Sequence, residues 1–191
     1  MTTEDRLGIV TAVKDGVVSA VRGVGEITDT VIETVSGSLI NAIQRTGAVG
    51  TAFTTAISEV VRGAIQGASE IGGDLGGTAK GAMLGVLRGT KEIGGEAIDT
   101  IGTTSGAVIK ETAAVGGDLT AAAKGVVEGA VVGAKELGLS AEDAASAAAS
   151  GALKAAGGIS STAVEQVRDA LAGTIAGVKV VVKEPFKSDD K

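Results

Sequence analysis

An eleven-residue period runs through the sequence from Thr3 to Val178 without an insertion. Cut from Thr3, the chain falls into sixteen successive blocks, for example KEIGGEAIDTI from Lys91 and KGVVEGAVVGA from Lys124. An internal repeat of this kind constrains a fold strongly, because each copy is expected to adopt the same local structure. We therefore divide the chain into an N-terminal extension (1–2), a helical repeat region (3–178) and a charged C-terminal tail (179–191).

The charged residues of the repeat avoid four of the eleven block positions. At positions 3, 7, 8 and 11, Asp5 and Glu142 are the only charged residues. Eleven residues in three turns is about 3.67 residues per turn, close to the α-helical value. Positions 3, 7 and 11 then share one stripe, and positions 1, 5 and 9 lie opposite. We predict an all-α protein that buries the first stripe and exposes the second.

These stripes give named expectations for burial. The residues expected to be covered include Ile71, Leu75, Ile93, Leu119 and Val131. The residues expected to reach water include Lys91, Lys124 and Lys135. The segment Lys179–Lys183, which reads KVVVK, is the one stretch where the pattern allows a strand.

A third stripe, at positions 2, 6 and 10, alternates between blocks and doubles the true repeat to 22 residues. It is often acidic at position 2 of the first block and glycine in the second block. A glycine inside a helix costs roughly 1 kcal/mol relative to alanine. Close approach of two helix backbones, as in GxxxG pairs, would offset that cost. The predicted helix-packing residues are Gly77, Gly81, Gly85, Gly89, Gly125, Gly129, Gly133, Gly173 and Gly177.

The arrangement of the helices is open to two interpretations. The unbroken phase favours very long helices, kinked at glycine pairs and packed side by side, because loops usually shift a phase. The alternative is a stack of short helical hairpins that break at pairs such as Gly72-Gly73 and Gly94-Gly95. Two capping-box patterns, Ser140 to Asp143 and Thr162 to Glu165, support breaks. A third possibility is a chain that stays disordered until it binds a partner.

The residue types that are missing narrow the chemistry. The chain has no His and no Cys, so the usual general base and the commonest metal ligands are absent. We identify no catalytic residue, no cofactor site and no metal site, and we expect a protein that is not an enzyme and has no small-molecule substrate. The net charge of −6 argues against a nucleic-acid partner.

Two segments resemble a known class of repeat. The stretches KDGVVSAV from Lys14 and KGVVEGAVVGAKE from Lys124 are similar to the eleven-residue repeats of synucleins and perilipins. The resemblance covers the period, the Lys-x-Gly-Val-Val start and the lack of aromatic residues. It implies an amphipathic helix that lies on a vesicle or a lipid droplet.

These observations favour a structural protein that assembles with itself through its glycine and alanine faces into a bundle or filament. The first alternative is a peripheral coat on lipid droplets or membranes. The second is a stress-protective protein that orders on a partner. The N-terminal residues do not form a signal peptide, and no uncharged run reaches the roughly 20 residues of a membrane span. The expected location is therefore cytoplasmic by default.

Overall fold

The computed structural model of the chain describes residues 2–21, 27–46, 50–94 and 96–181, and these residues are mostly helical. The prediction of an all-α protein is confirmed at this level. The described elements are α1 (Thr3–Val21), α2 (Ile27–Thr46), α3 (Thr51–Glu70), α4 (Leu75–Glu92), α5 (Ala97–Ala114), α6 (Leu119–Leu137), α7 (Ala141–Gly157), α8 (Ser161–Leu171), β1 (Thr174–Ile175) and β2 (Val178–Lys179).

The prediction of very long helices is wrong, because a glycine turn ends each unit from α3 to α6. Gly72, Gly94, Gly116 and Gly138 are 22 residues apart, and each has a positive φ, between 66° and 73°. The turns after α3, α5 and α6 close with the same hydrogen bond, as in the 2.8 Å bond from Gly73 N–H to the Ala68 carbonyl. Left-handed glycine at this position is the usual end of a helix. Because these four glycines recur every 22 residues, helix and turn together have a constant length and preserve the phase as well as a continuous helix would.

The helices form two rows that pack against each other. The odd row contains α1, α3, α5 and α7, and the even row contains α2, α4, α6 and α8. Each helix contacts the next helix of its own row and its sequence neighbours in the other row. Helices within a row are parallel, since Gly81 lies by Thr28, Gly85 by Ile32 and Gly89 by Ser36. The short helices therefore lie side by side in a two-layer stack, a common architecture of helical repeat proteins.

Burial follows the eleven-residue period, although the helix ends modify it. Every position-11 residue with a described side chain is buried, and at positions 1, 5 and 9 Leu84 alone is buried among those described. Lys91, Lys124 and Lys135 are exposed and Leu119 and Val131 are buried, as predicted. Ile71, Leu75 and Ile93 are half-buried instead of fully covered. Ile71 and Ile93 are C-caps and Leu75 is a first helical residue, so each lies at a turn.

Side-chain caps fix where the later helices begin. Asp118 accepts hydrogen bonds from Thr120 N–H and Ala121 N–H at the start of α6. The predicted cap at Ser140 is confirmed, because its hydroxyl accepts a hydrogen bond from Asp143 N–H at 3.1 Å. The predicted cap at Thr162 is wrong. Ser160 caps α8 instead, two residues earlier, through its bond from Ala163 N–H.

The helical region ends before Val178, which corrects the predicted boundary. After α8 the chain forms an antiparallel hairpin in which Ile175 pairs with Val178. Ala176 and Gly177 have φ values of 50° and 81°, as a tight two-residue hairpin turn requires. The β2 strand packs on α7, and shortly after it the Val181 carbonyl accepts a hydrogen bond from the Ser146 hydroxyl. The strand allowed at Lys179–Lys183 thus begins earlier, and residues 182 and 183 lie outside the described residues.

Candidate functional site

Glycines let neighbouring helices of a row touch at the backbone. A β-carbon built on Gly81 or Gly85 would lie 2.7 Å from a carbonyl oxygen of α2, and one on Gly129 would lie 2.7 Å from the Lys80 carbonyl of α4. Real β-carbons do not approach oxygen this closely, so only glycine fits. Two further glycines, Gly63 and Gly67 of α3, lie in the same way against α1.

The structure places seven of the nine predicted packing glycines beside a helix of the same chain. Gly77, Gly81, Gly85 and Gly89 lie against α2, and Gly125, Gly129 and Gly133 lie against α4. Gly173 and Gly177 do not lie in a helix as predicted, because α8 ends before them. Gly173 precedes the hairpin and Gly177 lies in its turn. Both have positive φ, and no atom lies within 4 Å of a β-carbon built on either. Their role is conformational.

The regular glycine row is interrupted in α5. In α4 and α6, positions 2, 6 and 10 of the second block are all glycine, whereas α5 has Thr103, Ala107 and Glu111 there. Glu111 reaches Arg62 of α3, so this row faces the preceding helix of the odd row, as it does in α4 and α6. Side chains therefore stand where glycine would let α3 and α5 touch.

A groove of about 1020 Å³ opens on the outer face of the odd row at this interruption. We call it the α5 groove. Its floor is the outer side of α5, including Gly102 and Gly106, and α3 and α7 form its two sides. A second cavity of about 510 Å³ lies beside Phe53 and Ile57, and it shares Thr54, Asp99 and Thr103 with the groove. The α5 groove lies where the glycine row is interrupted, and Thr103 of that row lines both openings.

An ion-pair network ties three helices together at one edge of the α5 groove. The Glu59 side chain is 2% exposed, and its Oε1 accepts a hydrogen bond from Arg6 Nε at 2.8 Å. Its Oε2 accepts one from Arg62, which also donates to Glu111 at 3.2 Å. A buried carboxylate needs such partners, because an unpaired buried charge is costly. The network joins α1, α3 and α5 and leaves little capacity for further binding.

Two other cations of the groove are free. Lys110 of α5 and Lys154 of α7 are exposed, and no described carboxylate lies within ion-pair distance of either. They occupy the same repeat position and are 44 residues apart, so they lie on adjacent parallel helices at the same level. In a chain of net charge −6, they give this part of the groove a local positive charge.

Other charges on the surface are engaged within the chain. The pKa of Lys14 is raised, chiefly because its Nζ donates a hydrogen bond to Glu70 at 2.9 Å. The pKa of Asp5 is lowered, first of all because its carboxylate accepts a hydrogen bond from Thr2 N–H. The pKa of Arg88 is raised by its hydrogen bonds to Glu136. These groups stabilise helix ends and helix pairs on the outside of the stack.

Sequence reasoning missed the α5 groove, although the signal was present. Glu59 occupies position 2 of its block, where α4 and α6 carry Gly81 and Gly125, so a charged residue replaces glycine at this repeat position. In α5, Thr103, Ala107 and Glu111 likewise occupy repeat positions that are glycine in α4 and α6. A column-by-column comparison of the 22-residue units shows both departures, but it does not show that they lie beside each other.

Comparisons with known proteins leave this site to be interpreted from its geometry. No family model matches the sequence, and no curated protein matches it. Within the described residues, no helix is both long and apolar enough to cross a membrane, and no group of acidic residues is placed to hold a metal ion.

Proposed function

We propose that this chain is a non-enzymatic structural protein that forms a homo-oligomer by receiving a helix in the α5 groove. Gly102 and Gly106 are the observation that carries the proposal. A β-carbon on either would have room within the chain, since it would lie at ordinary contact distance, 3.6 to 3.8 Å, from atoms of α7. The α7 helix packs on the Gly102 backbone through Gly151, and this contact requires glycine at Gly151. Each glycine still costs roughly 1 kcal/mol of helix stability. The close approach of a helix backbone from a second copy would offset that cost, because only glycine leaves room for it.

The position of this pair in the repeat supports the same conclusion. A β-carbon on most helical glycines of α3, α4, α6 and α7 would crowd another described helix, whereas one on Gly102 or Gly106 would only touch α7, and both glycines also line the open groove. A departure from a regular repeat at a surface opening is where a binding site is expected. The groove is also of a size that suits a short stretch of helix, and helix-in-groove association is a common mode of recognition.

The chemistry of the groove supports association rather than catalysis. Its carboxylates Glu59 and Glu111 are held by arginines, and no His or Cys exists in the chain to serve as a base or nucleophile. The hydroxyls of Thr55 and Ser58 donate to carbonyls one turn earlier in α3. No nucleophile–base pair lies among the described groove residues, so we assign binding and no reaction.

The lipid-coat alternative requires a different use of the same helices. Its apolar face would be the position-11 stripe, which the folded chain buries between its own helices. Binding through that stripe would therefore require the rows to separate. The experiment that tests self-association also tests this alternative when lipid vesicles are added.

Sedimentation velocity of the full chain tests the proposal. The wild-type protein should sediment as a species larger than the 18.5 kDa monomer, and G102L/G106L should be monomeric, because two leucines would fill the groove. The matched control is G37L, since Gly37 is exposed within a helix and no atom lies near its β-carbon position. This control should remain associated.

Circular dichroism must show that all three proteins keep their helix content. A wild-type protein that is monomeric throughout a wide concentration range would refute the proposal. So would a G102L/G106L variant that associates as the wild type does. Stronger binding of wild type to vesicles than to itself would favour the lipid-coat function instead.

A further inference from the structure

The first helix has an exposed side that no other described helix covers. It lies at the end of the odd row, so within that row α1 contacts only α3 among the described helices. At 100° per residue, the exposed residues Glu4, Leu7, Gly8, Thr11 and Asp15 lie on one side of α1, and we call them the α1 edge. Leu7 is 62% exposed, the highest value among the exposed large apolar residues described.

The α1 edge and the α5 groove are complementary in size. Gly8 and Thr11 are small, so the α1 backbone can come close to a surface along this side. The floor of the groove offers Gly102 and Gly106, which likewise carry no side chain. Leu7 is the one bulky group of the edge and would bury its side chain on this floor. Small residues on both sides are the usual condition for close packing of two helices.

The two surfaces are also complementary in charge. Glu4 and Asp15 have no described ion-pair partner, and they lie at opposite ends of the α1 edge. Lys110 and Lys154 are the free cations at one end of the groove. A helix laid along the groove therefore brings one acid, Glu4 or Asp15, to these lysines in either direction, and it leaves the other acid toward the end of the groove where Asp99 lies. The lysine end is the complementary part of the contact. Complementary charges of this kind favour the encounter and set its specificity.

We propose that the α1 edge of one copy docks in the α5 groove of a second copy. This inference rests on the proposed function and names the helix that fills the groove. The two surfaces are different parts of the chain, so each docked copy still offers a free edge and a free groove. A contact of this heterologous type builds a chain of subunits unless its rotation closes a ring.

Two charge-reversal variants test the proposal when they are mixed. K110E/K154E keeps its edge but loses its groove cations, and E4K/D15K keeps its groove but reverses its edge. Each variant alone should associate about tenfold more weakly than the wild type, because charges across the contact then repel. The equimolar mixture should regain association close to that of the wild type, with the two variants alternating. The acidic edge of the first variant then meets the basic groove of the second, and the basic edge of the second meets the acidic groove of the first.

Controls of equal charge change separate this effect from net charge. K124E/K135E alters two exposed lysines of α6, and E92K/E165K alters two exposed acids of α4 and α8. Both controls should assemble as the wild type does. All variants change exposed side chains without described ion pairs, and circular dichroism checks that they fold.

The possible results distinguish the inference from the proposed function. If G102L/G106L disperses the protein while E4K/D15K does not, and L7S, in which serine replaces the exposed leucine of the edge, does not either, the groove binds another element and the α1 edge is refuted as its occupant. If the mixture of the two charge variants associates no more strongly than either variant alone, the edge-to-groove contact is also refuted. A wild-type chain that never associates removes both proposals together.

Discussion

Individual glycines have opposite effects in this molecule, according to what surrounds them. Gly85 of α4 lies against the Ile32 carbonyl and Val35, whereas Gly37 of α2 is exposed with open space beside it. Both are in helix interiors, so alanine would raise helix propensity at each by a similar amount. The difference between the two sites is therefore a difference in packing alone.

We expect G85A and G37A to change stability in opposite directions. A β-carbon at Gly85 would lie 2.7 Å from the Ile32 carbonyl oxygen, so α2 and α4 must move apart. That overpacking should lower the free energy of unfolding by about 1–3 kcal/mol. G37A should raise the free energy of unfolding by up to about 1 kcal/mol. Urea unfolding followed by circular dichroism measures both, and a stabilised G85A would mean that α2 and α4 do not touch there.

At the scale of the element, the repeated unit is one helix with its turn. The turn glycine is required by its backbone conformation, since Gly116 has a φ of 68° and nothing lies near its β-carbon position. Crowding is therefore not the reason for glycine at this site. The left-handed conformation costs a residue with a β-carbon roughly 1–2 kcal/mol.

Gly116 gives a prediction that separates backbone conformation from packing. G116A should lower the free energy of unfolding by about 1–2 kcal/mol, and G116N should lower it less, because asparagine tolerates the left-handed region better. Thermal unfolding of the two variants measures the order. Equal losses would point to packing at the turn, and no loss would mean that α5 and α6 are not separated by this turn.

The sequence was sufficient for the helices and for the face that each buries, because position 11 is uncharged in every block and is buried wherever it is described. It was insufficient for helix length. An unbroken period arises from continuous helix or from turns of constant length, and Gly72 and Gly94 fit a kink as well as a stop. The α5 groove was not predictable for a related reason. Thr103 and Glu111 show a changed row, but which helix faces that row depends on the folding of the whole stack.

Helices in the middle of the molecule have more neighbouring helices than those at its two ends. The α4 helix contacts α2 and α6 in its row and α3 and α5 across it, while α1 and α8 have neighbours on fewer sides. In repeat proteins stability is close to a sum over units and their neighbouring contacts. The central helices should therefore open less often than the terminal ones.

Hydrogen–deuterium exchange read by mass spectrometry should reveal this gradient. Peptides from α4 and α6 should exchange most slowly, and peptides from α1 and α8 should exchange fastest among the described helices, because local opening needs the loss of fewer contacts at the ends. In an assembled sample α1 should gain protection if it occupies the groove of another copy. Uniform exchange from α1 to α8 would instead indicate that the stack opens as one cooperative unit.

The packing of each helix on the second-next helix also sets the order in which the chain can fold. A single hairpin, such as α1 with α2, lacks any contact within a row, so its glycine-facing surfaces have no partner. The first complete row contact forms when α3 reaches α1 through Gly63 and Gly67. We therefore expect three consecutive units to be the smallest part of the stack that folds stably. On this expectation, the pair of α1 and α2 becomes stable during synthesis only after α3 has been made.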